Sequence, residues 1–586
     1  MKKTHLFNSI ALTIGLIVSC STFAFADVKR EVREPEAATG YTEQKAVTTK
    51  EFMVASANPY ATKVGYNILK AGGSAIDAAI AVQLVLTLVE PQSSGIGGGA
   101  FTLYWDEQQR AITTFDGRET APKAAKSDMF LDQSGKPIPW IKAVVGGRSV
   151  GVPGVLASLK MAHDKYGRLP WADLFKDAIN LAERGFRVSP RLQKLVEMEF
   201  NPGVAQLDAT RQYFFPEGRP LKAGDKLKNP ALAEVYKSLA KEGIEPFYQG
   251  WIAKNIVNAV QNSEIAPGVL SLDDMRNYKP VERAPVCSSY REHKICGMAP
   301  PSSGGITVLQ ILSLLEPYEL NKRPFENVHT AHLFTQASRL AFADRNRYIA
   351  DSDFVQVPVD DLLSPEYIKR RSQEVNIHQD MGKAVAGEPV EALAYADDDA
   401  YELPSTSHIS IVDKYGNAIS MTTSIEMAFG SAVMVDGFLL NNQLTDFALS
   451  PTRDGKLVAN RVEPLKRPRS SMAPMMVMSP TGTLKLVVGS PGGSRIINYV
   501  AQTILGVIDW KLDPQQAINM PKLTNRNDVT TLEKGTSIVK LKTGLEAKGH
   551  KVFVRDLNSG IQAIQVRSHT LVGGADPRRE GKVMGE

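Results

Sequence analysis

The sequence lacks a strong charge of either sign. A formal net charge of +5 over 586 residues, part of it from Lys2 and Lys3 in a leader, is too small a bias to argue for a nucleic-acid partner. No basic run carries interleaved aromatics, and there are no heptads and no internal repeat, which removes coiled-coil and solenoid readings. Neither GxxxxGK[ST] nor a GxGxxG within a βαβ unit occurs, so no phosphate loop is read. A Ser-His-Asp triad is not excluded by spacing, but the GxSxG elbow is absent. The nine histidines are scattered, no metal or flavin signature appears, and no cofactor is expected. His408 reads as a packed histidine rather than a ligand.

Cysteine is scarce, with three in the chain. Cys20 lies in the leader. Cys287 and Cys296, in "PVCSSYREHKIC", flank a hairpin pattern, and in an oxidising compartment they predict a local structural disulfide. No activating partner stands near either one, so a catalytic thiol is not read.

Long apolar runs are also missing after the N-terminus. There, "MKK" precedes an apolar stretch from Leu6 to Val18 and then "SCSTFAFAD", the three parts of a secretory signal. Cleavage after Ala26 fits, so residues 1–26 read as a signal peptide and the mature chain as periplasmic or secreted. The alternative is a lipoprotein signal ending at Cys20, which would anchor the protein through that residue. The stretch is too short for a membrane-spanning helix.

What is present is well punctuated. Asn58 and Pro59 open a helix that Gly72 closes, and Ser74 with Asp77 spells a capping box before an apolar helix. Helical patterns dominate from Gly154 to about Glu264, and two more follow in "SSGGITVLQILSLLEPY" and "VHTAHLFTQASRLAFADRNRYIAD". Residues 27–50 and 373–405 have little pattern and read as loose. From Thr406 the chain turns to strands, at 408–413, 417–425, 437–441, 473–478 and 484–489, before a final helical pair. Strands from both parts sharing a sheet covered by helices make an α/β layered domain.

Glycine turns recur in "GIGGGAF", "GGRSVGVPG", "PPSSGGI" and "GSPGGSRI". Most such clusters serve tight turns. The functional alternative is that Gly492 and Gly493 present backbone N–H groups to a developing oxyanion.

Together with "MVAS", "ILKAGGSAIDAA", "DGRETAP", "YKPVERAPV", "FADR", "TSHISIVDKYGNAIS", "FLLNNQLTDF", "KRPRSSMAP" and "GADPRR", these segments span nearly the whole mature chain. In that order they resemble the gamma-glutamyltransferase family of N-terminal nucleophile hydrolases. The resemblance implies a four-layer αββα sandwich built from both processed subunits. It implies a self-inflicted cut between Ser405 and Thr406, giving a large subunit (27–405) and a small one (406–586) that pair as a heterodimer. Thr406 would be the nucleophile. Arg118 would grip the donor's α-carboxylate with Ser470 and Ser471, Asp446 would take its α-amino group, and Gly492 and Gly493 would form the oxyanion hole. Ser424 falls where the family usually has a second threonine, and its hydroxyl can still donate. Donors would be glutathione and other γ-glutamyl amides, with water, amino acids or dipeptides as acceptors.

The sequence departs from that pattern in three places. Glu426 sits where the family commonly has an asparagine at the substrate's α-amino end. Thr445 replaces the first of two aspartates. The segment from Ala448 to Leu465 is short and lacks a lid tyrosine, which implies a more open site. These changes resemble a branch that includes glutaryl-type cephalosporin acylases, and Glu426 pairing with Arg118 would block the carboxylate site. A secreted binding protein without chemistry is the non-enzyme alternative.

Overall fold

The computed structural model describes residues 40–390, 394–400, 402–403 and 405–586. The leader, with both of its candidate ends, Cys20 and Ala26, lies outside the described residues. No helix among the described residues is long and apolar enough to cross a membrane.

Helix ends form where the sequence marks them. The Asn58 side chain accepts the Tyr60 N–H at the start of Pro59–Lys70, and Ser74 and Asp77 close a reciprocal capping box on Ala75–Val89. The second helix is buried along its whole length, as its all-round apolar character requires.

Two antiparallel seven-stranded sheets carry the fold. One orders Lys582–Gly585, Met53–Ser56, Ser407–Val412, Ala418–Ser424, Gly99–Asp106, Ala111–Gly117 and Val281–Arg283. The other orders Val47–Thr49, Thr570–Ala575, Gln562–Arg567, Leu484–Gly489, Met475–Met478, His293–Gly297 and Val286–Tyr290. Each sheet takes strands from both sides of Thr406. Strand Ser407–Val412 is buried on both faces. Its Ile409 and Ile411 pack with the helices Pro59–Lys70 and Ala75–Val89. Val412 faces the second sheet, whose far side is covered by Gly304–Leu315, Val328–Tyr348 and Ile496–Ile508. Helix, sheet, sheet and helix thus stack as an αββα sandwich.

The two sheets touch through small polar groups near the start of that strand. Ser410 Oγ donates to the Gln562 carbonyl at 3.1 Å and Ser420 Oγ to the Val488 carbonyl at 3.0 Å. His408 sits between Thr422 and Ser410, at 2.9 and 3.0 Å. Burial pushes its pKa down to about 3, so it is neutral.

Cys287 and Cys296 stand opposite each other on the hairpin strands and are joined by a disulfide. Parts of two segments read as loose are ordered. Val47–Thr49, in a polar run, pairs with Thr570–Ala575 as an edge strand. Glu402, Leu403 and Ser405, at the end of the acidic run, are buried. The 437–441 strand shrinks to Phe438–Leu439, paired with Met434–Val435.

Candidate active site

Thr406 enters strand Ser407–Val412 from a tightly held joint. Its hydroxyl lies against the Ser405 carbonyl oxygen, to which it donates. Ser424, at the end of the neighbouring strand, donates its hydroxyl to that same oxygen at 3.0 Å and sits 3.3 Å from the Thr406 hydroxyl. The Ser405 side chain donates to the Gln92 carbonyl at 2.6 Å, and Arg579 donates to the Thr406 carbonyl at 3.3 Å. The peptide bond between Ser405 and Thr406 is therefore clamped on both sides, with two hydroxyls on its carbonyl.

Around this joint Ser424, Glu426, Asp446, Ser470, Ser471 and Gly493 line one small cavity with Thr406. Gly492 stands one residue behind. Glycine is required at 493, where φ is +55° and a Cβ would lie 2.5 Å from the Glu402 carbonyl oxygen. The free space is about 20 Å³, room for about one water. Glu402 and Leu403 line it as well.

Arg118 does not face this space. It is fully buried behind Asp446, to which it donates at 2.5 Å, and its other bonds go to the carbonyls of Pro468 and Arg469. Glu119 lies 3.6 Å away on its other side. Burial lifts the Glu119 carboxyl to about 8, against the pull of Arg118, so Asp446 is the main counter-charge of the guanidinium.

Glu426 does not pair with Arg118. It accepts the Asn442 side-chain N–H at 2.5 Å and lines the same cavity as Asp446. Burial and then the Asp446 charge raise the Glu426 carboxyl well above its usual range. Burial also raises Asp446, to about 7, in spite of Arg118. Two carboxyls confined together and away from water keep one proton between them. Glu426 adopts φ +77°, a left-handed conformation that asparagine tolerates better than glutamate, so the turn itself suits the residue the family commonly has there. Thr445 plays a local part, accepting from the same Asn442 amide at 2.9 Å.

Three side chains that sequence reasoning did not assign complete the site: Glu402, Arg345 and Arg469. Arg345 lies within "FADR" and Arg469 within "RPRSSMAP", so both were in view as motif letters without a partner to define them. Among the described residues, no cluster of His, Cys, Asp and Glu could hold a metal ion.

A family model described as Gamma-glutamyltranspeptidase matches residues 61–586. The glutathione hydrolase proenzyme of Bacillus subtilis (strain 168) is 36% identical over 602 residues, covering 100% of this chain and 99% of its own. The acylase ACY 1 proenzyme of Pseudomonas sp. (strain V22) is 33% identical, over 92% of this chain and 94% of its own. The crystal structure of cephalosporin acylase from Bacillus halodurans matches with a TM-score of 0.82 at 28% identity, covering 93% of this chain and 97% of that one.

Proposed function

The chain belongs to the gamma-glutamyltranspeptidase family, and from that premise we propose that it is a self-processing hydrolase and transferase of γ-glutamyl amides, with Thr406 as nucleophile. The observation that carries the reading is the pair of hydroxyls, from Thr406 and Ser424, on the Ser405 carbonyl. In maturation the Thr406 oxygen attacks the Ser405 carbonyl carbon while Ser424 stabilises the charge on its oxygen. The C–N bond breaks, the Thr406 nitrogen takes up the proton as an α-amine, and the resulting ester is opened by water. Residues 27–405 and 406–586 then form the two subunits of a heterodimer, exported by the leader.

The same hydroxyl serves the second reaction. An α-amine with a pKa near 8 can take its proton and pass it to the leaving amine. The γ-glutamyl group is held as an ester on Thr406 and passes to water or to an amino acid or dipeptide. Gly493, with Gly492 behind it, offers backbone N–H groups for the oxyanion, and Ser470 and Ser471 bind at the carboxylate end. Arg118 acts from behind, fixing Asp446 rather than gripping the donor.

The acid pair favours γ-glutamyl over glutaryl donors. Glu426 and Asp446, with one proton between them, present carboxyl oxygens that accept from a donor's ammonium, and a glutaryl group has no ammonium. Parallel turnover of a γ-glutamyl anilide and a glutaryl anilide tests this. A large preference for the glutaryl compound would place the chain with the acylases instead.

The pair also predicts a pH dependence. Asp446, raised to about 7, takes a second proton as the pH falls below that value, and the pair then loses its charge. KM for the γ-glutamyl anilide is expected to rise on going from pH 8 to pH 5.5, while KM for the glutaryl anilide stays level. Taking the ratio of the two removes the titration of the α-amine common to both. A flat ratio would contradict the role given to Asp446.

A further inference from the structure

The residues just before the scissile bond are bound as a substrate would be. The Glu402 carboxylate accepts from Arg345, from the Ser471 hydroxyl and, at 3.4 Å, from Arg469. Arg345 also donates to the Ser471 hydroxyl at 2.6 Å, so one serine and one arginine hold the carboxylate from two sides. One residue on, Leu403 lines the same small cavity as Glu426. The Glu402 carbonyl lies on the glycine turn, accepting the Ser494 N–H at 3.4 Å. A carboxylate on Ser471 is the contact by which the preceding section has the carboxylate end of a γ-glutamyl donor held.

Arg345 and Arg469 give the site its sign. Both are buried, at 3% and 1% exposure, and Glu402 lies between them. Arg469 has a second carboxylate, Asp398, at 2.9 Å, whereas the remaining bonds of Arg345 go to the neutral oxygens of Ser303, Asn346 and Ser471. Burial pulls Arg345 down to about 10, with the charge of Arg469 acting in the same direction. Burial alone would raise the Glu402 carboxyl, but the two arginines and Ser471 outweigh it, and the group stays ionised below its usual range. Once the tail leaves, Arg345 is a buried cation without its carboxylate, an arrangement that calls for another anion.

We propose that Arg345 and Arg469, with Ser471, form a carboxylate site whose first occupant is Glu402. In the uncut chain Glu402 imitates the donor's carboxylate, closing the site and seating the Ser405–Thr406 bond under Ser424. After the cut, the vacated arginines receive the carboxylate of the incoming donor. Glu402 is thus a positioning residue for maturation and a plug against premature binding. The proposal rests on the γ-glutamyl reading for the identity of the later occupant, but not for the grip on Glu402.

Two experiments test it. In the uncut Thr406→Ala chain, glutarate is the probe and calorimetry the readout. No binding is expected at millimolar glutarate, whereas Thr406→Ala/Glu402→Ala should bind at least about 10-fold more tightly. Equal binding by the two chains would overturn the plug. In the second, Glu402→Gln keeps the side chain's volume and removes its charge. The two fragments should appear on a denaturing gel at least about 10-fold more slowly than in the parent, with the melting temperature of the uncut form showing that it has folded. Cutting at the parent rate would overturn the positioning role. If both results hold but the cut protein turns over neither anilide, the γ-glutamyl reading fails and the carboxylate site stands.

Discussion

Thr406→Ala is expected to leave a single full-length chain and no measurable turnover. Two effects combine. The variant has no hydroxyl to attack Ser405, so no α-amine is made, and Glu402 and Leu403 stay in the site. Loss of a covalent nucleophile alone costs on the order of 10⁴–10⁶ in rate, and a blocked pocket removes what is left. Thr406→Ser retains the hydroxyl and should still cut and turn over, which separates the chemistry from the fold. A denaturing gel and an anilide assay on the same preparations check both. Two fragments from the alanine variant would refute the mechanism.

Asp446→Asn should damage binding and stability together. The carboxylate balances Arg118 on one side and lines the small cavity with Glu426 on the other. Removing one partner of a buried pair costs about 3–5 kcal/mol. Here the lower end is expected, because Glu119, lifted to about 8, can ionise in its place. A charge-assisted bond to the donor's ammonium is worth about 1.5–3 kcal/mol, so kcat/KM for the γ-glutamyl anilide should fall about 10–100-fold, chiefly through KM. The glutaryl anilide should be little affected. Equal losses for both compounds would show that Asp446 serves only to hold Arg118.

The scaffold was legible because its signals are local. Asn58, Ser74 and Asp77 cap helices through atoms two or three residues away, and the hairpin around Lys414–Asn417 is written in alternation and a turn. The edge strand Val47–Thr49 was not, because what orders it is Thr570–Ala575, at the other end of the chain. The acidic run before Thr406 misled for the same reason. Nothing within it patterns Glu402, and its order comes from Arg345 and Arg469, 57 and 67 residues away. In the site, motifs supplied the residues but not their partners. Arg118 stands in a motif that implies a donor contact, yet Asp446 has taken its guanidinium. Glu426 was visible as a change from asparagine, while the left-handed turn that makes asparagine natural there is visible only in the backbone.

The central claim is that the chain cuts itself before Thr406 and that the new end does the chemistry. N-terminal sequencing of purified, active protein tests it most directly. One chain should begin Thr-Ser-His-Ile, in amount equal to the large subunit and in proportion to activity. An active preparation with no such end, or with its second chain beginning elsewhere, would contradict the account.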